Sequence, residues 1–234
     1  TKAKKLTYAL KSYADYKAQI LENQLSGLLL KINDNEVWVK LIGSFNAYNL
    51  LAIYGVAVEL GIEKVEALRL LSELESVSGR FQFIVSDSKI TAIVDYAHTP
   101  DALENVLKTI EDIRTKNEQL ITVVGCGGDR DKAKRPLMGS VAASYSKHII
   151  VTSDNPRFED PDMIIEDILK GIKNHSSVIV ELNRKEAIRK AIEKADENSV
   201  VLVLGKGDES TQIIYDKKFP FSDKEEILKI INKD

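Results

Sequence analysis

From residue 81 onward, short runs rich in β-branched residues recur at regular intervals: FQFIV, ITAIVDY, LITVVG, HIIVT, SVIVEL and SVVLVLG. Such near-continuously apolar runs suit strands buried on both faces, and strands of that kind belong to a mostly parallel sheet covered by helices on each side. The segments between them supply the helices. Thr99 and Pro100 form an N-cap and first-turn pair that opens a helix over about Asp101–Lys116. Further helices are predicted over about Arg135–Tyr145, from Pro161 to about Lys173, over Arg184–Ala195 and from Asp223. FQFIV and ITAIVDY pair around Asp87–Lys89. The fold class is therefore α/β.

The first 80 residues have a different texture. LSGLLLKIN and EVWVKLIG, separated by Asp34 and Asn35, read as a hairpin. Helices are expected over Ala47–Leu60, closed by Gly61 as a left-handed cap, and over about Ile62–Leu74. A little sheet and two helices are thin for an independent domain, and the chain opens on TKAKK without an initiator Met. Residues 1–79 read as the tail of a domain whose front is missing, and 80–234 as a second domain.

Composition narrows the function classes. Thirty-three basic and 36 acidic residues leave a net charge of −3, so no bulk electrostatic case exists for nucleic acid or an anionic membrane. Any anion site must be local. No apolar run approaches the roughly 18 residues of a membrane span. The single cysteine, Cys126, excludes an internal disulfide framework and fits a reducing compartment.

In open α/β sheets ligands bind beyond the carboxyl ends of the strands. Four polar segments stand there: DYAHTPD (95–101), GCGGDRDKAKR (125–135), SDNPR (153–157) and GKGDE (205–209). A dinucleotide fingerprint would need glycine where Arg130 stands. The alternative is that the small residues let backbone N–H groups and Arg130 approach an anion. Arg130 and Arg157 offer two rigid forks suited to a carboxylate, unless each is spent on a surface ion pair with Asp129, Asp131 or Glu159. Lys206, between two glycines, also invites an anion, while Glu209 brings a negative charge to the same mouth. An acid beside two basic forks suits a zwitterion, and the ligand suggested is an amino acid. Cys126 reads as a packed residue rather than a nucleophile, and His148 and His175 as structural or solvated; His98 alone is placed for chemistry. No G-x-x-x-x-G-K-[ST] phosphate loop occurs.

The order of G-S-F-N-x-Y-N (43–49), S-G-R (78–80), D-Y-A-H-T-P-D, G-C-G-G-D-R-D-K-x-K-R-P-L-M-G (125–139), T-S-D-N-P-R and G-K-G-D-E resembles the UDP-N-acetylmuramoyl-tripeptide synthetases, Mur ligases of the MurE type. The resemblance runs over nearly the whole chain, and folylpolyglutamate synthase, a relative, lacks the GCGGDRD and DNPR pair. It implies that residues 1–79 are the C-terminal part of the central ATPase domain and 80–234 the Rossmann-like C-terminal domain that brings the amino acid. The reaction implied is ATP-dependent amide formation through an acyl phosphate, in peptidoglycan synthesis, by a monomeric enzyme of the bacterial cytoplasm. Its substrates are small molecules, UDP-MurNAc-L-Ala-D-Glu, a diamino acid and ATP, with no nucleic acid or membrane partner. ATP and Mg2+ would be held largely by the missing part of the central domain, with no metal ligand in this chain.

By the same resemblance Asn46 and Arg80 contact the nucleotide, Asp95 the ribose, and His98 the phosphate side, as the catalytic candidate. Arg130, Asp154, Asn155, Pro156, Arg157, Gly205 and Glu209 hold the remote end of meso-diaminopimelate. Pro156 limits backbone freedom there. One departure bears on the ligand: the family commonly has G-K-G-H-E-x-Y-Q, where this chain has Asp208 and Thr211 in place of the histidine and tyrosine. Lanthionine or L-lysine are the alternative substrates, and a non-catalytic amino-acid or nucleotide-binding domain the alternative class.

Overall fold

The computed structural model of the chain describes residues 3–87, 89–114, 117–173 and 177–232. These divide into two compact units, Thr1–Ser76 and Val77–Asp234. No helix among the described residues is long and apolar enough to cross a membrane.

The first unit is a four-stranded sheet, ordered β1 (Tyr8–Ala9), β2 (Tyr16–Gln24), β3 (Gly27–Ile32), β4 (Asn35–Val39), with α1 (Ser44–Glu59) and α2 (Lys64–Glu73). The expected hairpin is β3 and β4, but its turn lies one residue earlier: Ile32 pairs with Asn35, and Asn33 takes the left-handed φ of 52° that Asn tolerates. β2 was not anticipated. In YKAQILENQ only Ala18 is buried and the register slips between Ile20 and Glu22, so no alternation marks it as a strand. α1 buries Ala47, Leu50, Leu51 and Tyr54, one helical stripe, against Leu28, Leu30 and Val39 of the sheet. Gly61 follows it at φ 93°, and α2 starts only at Lys64 because Glu63 caps it by accepting from the amides of Val65 and Glu66.

The second unit is built on β5 (Gln82–Val85), β6 (Thr91–Asp95), β7 (Leu120–Val124), β8 (His148–Thr152), β9 (Val178–Glu181) and β10 (Val200–Leu204), in the order β5-β6-β10-β7-β8-β9. All pairings are parallel except the edge strand β5. Every residue of β6, β7 and β10 is buried, which is why these strands read as unbroken apolar runs. Between the strands lie α3 (Pro100–Ile113), α4 (Lys134–Tyr145), α5 (Pro161–Leu169) and α6 (Arg184–Lys194), with α7 (Asp223–Ile231) last. Ala187, Ile188, Ala191 and Ile192 of α6 and Ile227 of α7 cover one face of the sheet through Val94, Val123, Ile150 and Val203. The predicted ends differ: α5 stops at Leu169, where the Gly171 amide turns back onto Ile168 O, and the expected end of α3 at Lys116 lies outside the described residues, as does residue 88 in the β5–β6 turn. A hairpin of β11 (Thr211–Ile214) and β12 (Lys217–Pro220) was missed, since β12 is wholly exposed and carries no apolar pattern.

β10 is threaded last between β6 and β7, so the four polar segments after β6, β7, β8 and β10 gather at one edge of the sheet. The end of β10 is anchored by a buried ion pair. Arg184 donates to Asp223 Oδ1 and Oδ2 at 2.7 and 2.8 Å and to Leu204 O at 3.0 Å, so it joins α6, α7 and β10. Both side chains are fully buried, and Arg184 Nη1 has no hydrogen-bond partner among the described residues. Replacing Arg184 by Ala strands the Asp223 carboxylate and should cost about 3–5 kcal/mol in urea unfolding, whereas Arg184→Leu with Asp223→Leu should recover most of that loss.

Candidate functional site

The segments after β7 and β8 lie against each other so closely that their glycines are dictated by contact. A Cβ on Gly128 would stand 1.9 Å from Pro156 O, and one on Gly127 would stand 2.8 Å from Arg157 Nη1. The expectation that these small residues open the backbone to an anion is corrected by the structure: the space holds the neighbouring loop, and the Gly128 amide donates to Asn155 O at 2.9 Å. Cys126 is packed here as expected, and burial pushes its thiol up to about 12.

Arg157 is half-buried at φ 52°, a left-handed conformation held from both sides by β11. Its amide donates to Ile213 O at 3.2 Å, and its carbonyl accepts from Tyr215 N at 2.7 Å. The guanidinium spends Nη1 on Gly128 O at 2.8 Å and, longer, on Asn155 O at 3.4 Å. Its Nε and Nη2 have no recorded partner among the described residues. Arg130, on the facing loop, is exposed and, among the described residues, donates only to Asp129 O at 3.3 Å. Among the described residues neither arginine is consumed by an ion pair. The acids that could have paired with them are otherwise engaged: Glu159 with Arg135 and Lys132, Asp129 with Phe158 N, Asp131 with Ala133 N.

Beside Arg157 lies a compact charge cluster. Lys206, expected as an anion ligand, is fully buried and faces inward instead. Its ammonium donates to Asn155 Oδ1 and Glu209 Oε2, each at 2.9 Å, and stands 3.6 Å from Asp154 Oδ1. Asn155 completes the arrangement by accepting from Ile213 N at 2.9 Å and donating to Glu209 Oε2 at 2.8 Å. Burial pushes the Glu209 carboxyl up, but Lys206 and Asn155 outweigh it, so the group titrates below the usual carboxylate range. One ammonium thus faces two carboxylates. Glu209 Oε1 has no partner among the described residues, and a Cβ on Gly205, at φ 115°, would crowd Asp154 Oδ2 at 2.8 Å. Gln212 locks the backbone by donating to Asp154 O at 2.7 Å. Asp208 is exposed, and Thr211 begins β11.

The two loops are also laced from beneath. Arg135, wholly buried in the first turn of α4, donates to Glu159 Oε1 at 2.8 Å, to Asp167 Oδ2 at 3.1 Å and, longer, to Gly127 O at 3.5 Å. Glu159 Oε1 also accepts from the Asp129 amide at 2.5 Å. Arg135 foremost, with Asp129 N and Lys132, holds the Glu159 carboxyl down at about 2. Sequence reading gave no signal for this link, because it joins residues 24 and 30 positions apart.

After β6, Asp95 is 7% exposed and accepts from Phe81 N and Ala97 N, both at 2.8 Å. Burial holds its carboxyl above the usual range against the pull of those amides and of Arg80. The Arg80 guanidinium lies 4.8 Å from the Tyr96 ring centroid, and His98 packs edge-on to the same ring. His98 Nδ1 is 2.9 Å from Tyr96 O; a carbonyl only accepts, so Nδ1 carries the proton and Nε2 is left available. Lys134 Nζ donates to His98 O at 3.0 Å. Asn46 belongs to the first unit, where its amide caps Ile42 O at 2.8 Å. His148 is structural, bridging Ser177 and Gln119; His175 lies outside the described residues. Among the described residues no group of three His, Cys, Asp or Glu side chains could hold a metal ion.

Residues 79–207 match the family described as "Mur ligase, glutamate ligase domain". A "UDP-N-acetylmuramoyl-L-alanyl-D-glutamate--2,6-diaminopimelate ligase" of Cytophaga hutchinsonii is 46% identical across 100% of the chain and 49% of its own length. A protein of the same name from Phocaeicola vulgatus is 52% identical over 96% of the chain and 47% of its own length. A solved structure bearing the same enzyme name superposes with a TM-score of 0.74 at 38% identity, covering 97% of the chain and 47% of that structure. The chain spans about half the length of the curated relatives it matches.

Glu159 sets a pH limit on the loop pair. Its folded pKa lies below its ordinary value of 4.5, so its contribution is fully present above that pH and is lost as pH falls through about 2. Urea midpoints of the wild type should therefore drop between these two values more steeply than those of Glu159→Gln.

Proposed function

The chain belongs to the Mur ligase family, and from that premise we propose that it is part of an ATP-dependent ligase that adds meso-diaminopimelate to UDP-N-acetylmuramoyl-L-alanyl-D-glutamate through an acyl phosphate, in bacterial peptidoglycan synthesis. The reading rests on one observation above all: two arginine forks, without ion-pair partners among the described residues, beside a cluster in which one buried ammonium faces two carboxylates. The free edge of Arg157 and the exposed guanidinium of Arg130 suit the second carboxylate of the diamino acid. Glu209 Oε1, with the backbone of Gly205, suits the neighbouring ammonium. Asp154 and Asn155 act mainly by fixing Lys206 and Glu209, and Pro156 by seating the loop against Gly128. Anchored at that far end, the molecule presents its other amine for attack, and proximity rather than new chemistry is what this unit supplies.

The second unit serves in this reading as the C-terminal, amino-acid-bearing domain and the first as the end of the central ATPase domain. Arg80, Asp95 and His98, and Asn46 on the first unit, are the proposed nucleotide contacts, His98 Nε2 meeting the phosphate side. The described residues include neither a phosphate loop nor a cluster fit for Mg2+, so both are assigned to the remainder of the full-length protein, and the chain alone is proposed to be inactive.

L-Lysine lacks the second carboxylate, so in its complex the forks would be desolvated without a partner. Discrimination of this kind reaches roughly 10⁴ to 10⁵. Phosphate release by the full-length enzyme, given UDP-MurNAc-L-Ala-D-Glu with meso-diaminopimelate, meso-lanthionine or L-lysine, tests the reading. Turnover with the dicarboxylic diamino acids and not with lysine is expected; turnover with lysine alone would overturn the site assignment. Arg157→Ala should lower kcat/KM for diaminopimelate by about 30-fold or more and erase most of the preference over lysine.

A further inference from the structure

We propose that Glu159 and Arg135 form a positioning pair that fixes the spacing of the two arginine forks and thereby sets the selectivity for a second carboxylate. The proposal rests on the reading of the cleft as a diamino-acid site.

The geometry places the Glu159 carboxylate between the two loops. Glu159 follows Arg157 by two residues, and its Oε1 holds the amide of Asp129, the residue before Arg130. In return, the Asp129 carboxylate accepts from Phe158 N at 3.3 Å, so the loops are tied in both directions. Asp129 and Arg157 both sit at left-handed φ, 53° and 52°, a conformation that is unfavourable for a side-chain-bearing residue and must be held by its surroundings. Arg135 does the holding from the core side. Its side chain is 1% exposed, its guanidinium is shared between Glu159 and Asp167, and α4 fixes where it stands. Lys132, on the outer side, adds only an exposed ion pair to Glu159 at 3.1 Å.

Recognition of one carboxylate by two forks is steeply sensitive to their separation, since a displacement of about 1 Å can cost on the order of 10²-fold. Removing the Glu159 charge leaves the buried Arg135 with one counterion instead of two and weakens the charge-assisted hold on the Asp129 amide. The distance between Arg130 and Arg157 then widens or fluctuates. The attacking amine lies at the other end of the diamino acid, so the chemical step need not suffer. Asp167 provides the contrast. It binds the same guanidinium but on the α5 side, away from both loops, and pairs with Lys170 at 2.6 Å.

The test uses the full-length ligase in four forms: wild type, Glu159→Gln, Arg135→Lys and Asp167→Asn. In Glu159→Gln the side-chain oxygen can still accept from Asp129 but carries no charge toward Arg135. The expected result is a rise in KM for diaminopimelate of about tenfold or more and a matching fall in selectivity over lysine, with kcat and the KM values for ATP and the UDP-linked substrate within about twofold. Arg135→Lys, which keeps the charge but loses the fork, should move in the same direction. Asp167→Asn should lower the unfolding midpoint without changing selectivity. A uniform loss of kcat, or equal effects of Glu159→Gln and Asp167→Asn, would reduce the pair to a structural role and overturn the proposal. Should Glu159→Gln fail to fold, Arg135→Lys decides, and unchanged selectivity in it would likewise overturn the proposal. A wild type that ignores dicarboxylic diamino acids would sink the functional reading instead; a wild type that uses them, loses them with Arg157→Ala, yet keeps its selectivity in Glu159→Gln would sink this inference alone.

Discussion

The site is organised around an ammonium group withdrawn from water. Isolated burial of a lysine charge costs several kcal/mol, so Lys206 can sit wholly inside only if acceptors converge on it from different parts of the chain. Asn155, Asp154 and Glu209 do so, and their convergence fixes the end of β8 against the end of β10. Asn155 extends the same constraint to the hairpin through Ile213 N, and the hairpin in turn grips Arg157 by its backbone. The half-buried Arg157 is therefore placed, through Asn155 and the hairpin, by an ammonium that is itself fully buried.

Much of the second unit was legible because its central strands are buried on both faces. LITVV and VVLVL have no solvent side, and the residue pattern says so directly. β2 and β12 lack that property, one with a single buried residue and a register slip, the other wholly exposed, and neither left a usable period in the sequence. The misplaced hairpin turn has a similarly local cause, since Asn33, Asp34 and Asn35 are all turn formers and only the pairing of Ile32 with Asn35 selects among them.

At the site, residue type identified Arg130, Arg157 and Glu209 as chemically interesting, but it could not say which charges face outward. Lys206 between two glycines reads as an exposed cation and is a core residue. Arg135 reads as one more base in GGDRDKAKR and is the buried brace beneath the loop. The difference lies in burial, which depends on which distant segment arrives to pair with each charge. A single sequence carries no direct record of that pairing.

The contact between Gly128 and Pro156 O has an evolutionary corollary. A loop that tolerates no Cβ opposite a particular carbonyl cannot be exchanged without its partner, so the segments 125–135 and 153–157 must travel as a single cassette when such a site is recombined or grafted. Asp208, exposed, and Thr211, the first residue of β11, lie outside this lock, so a change at either does not require a matching change in the cassette.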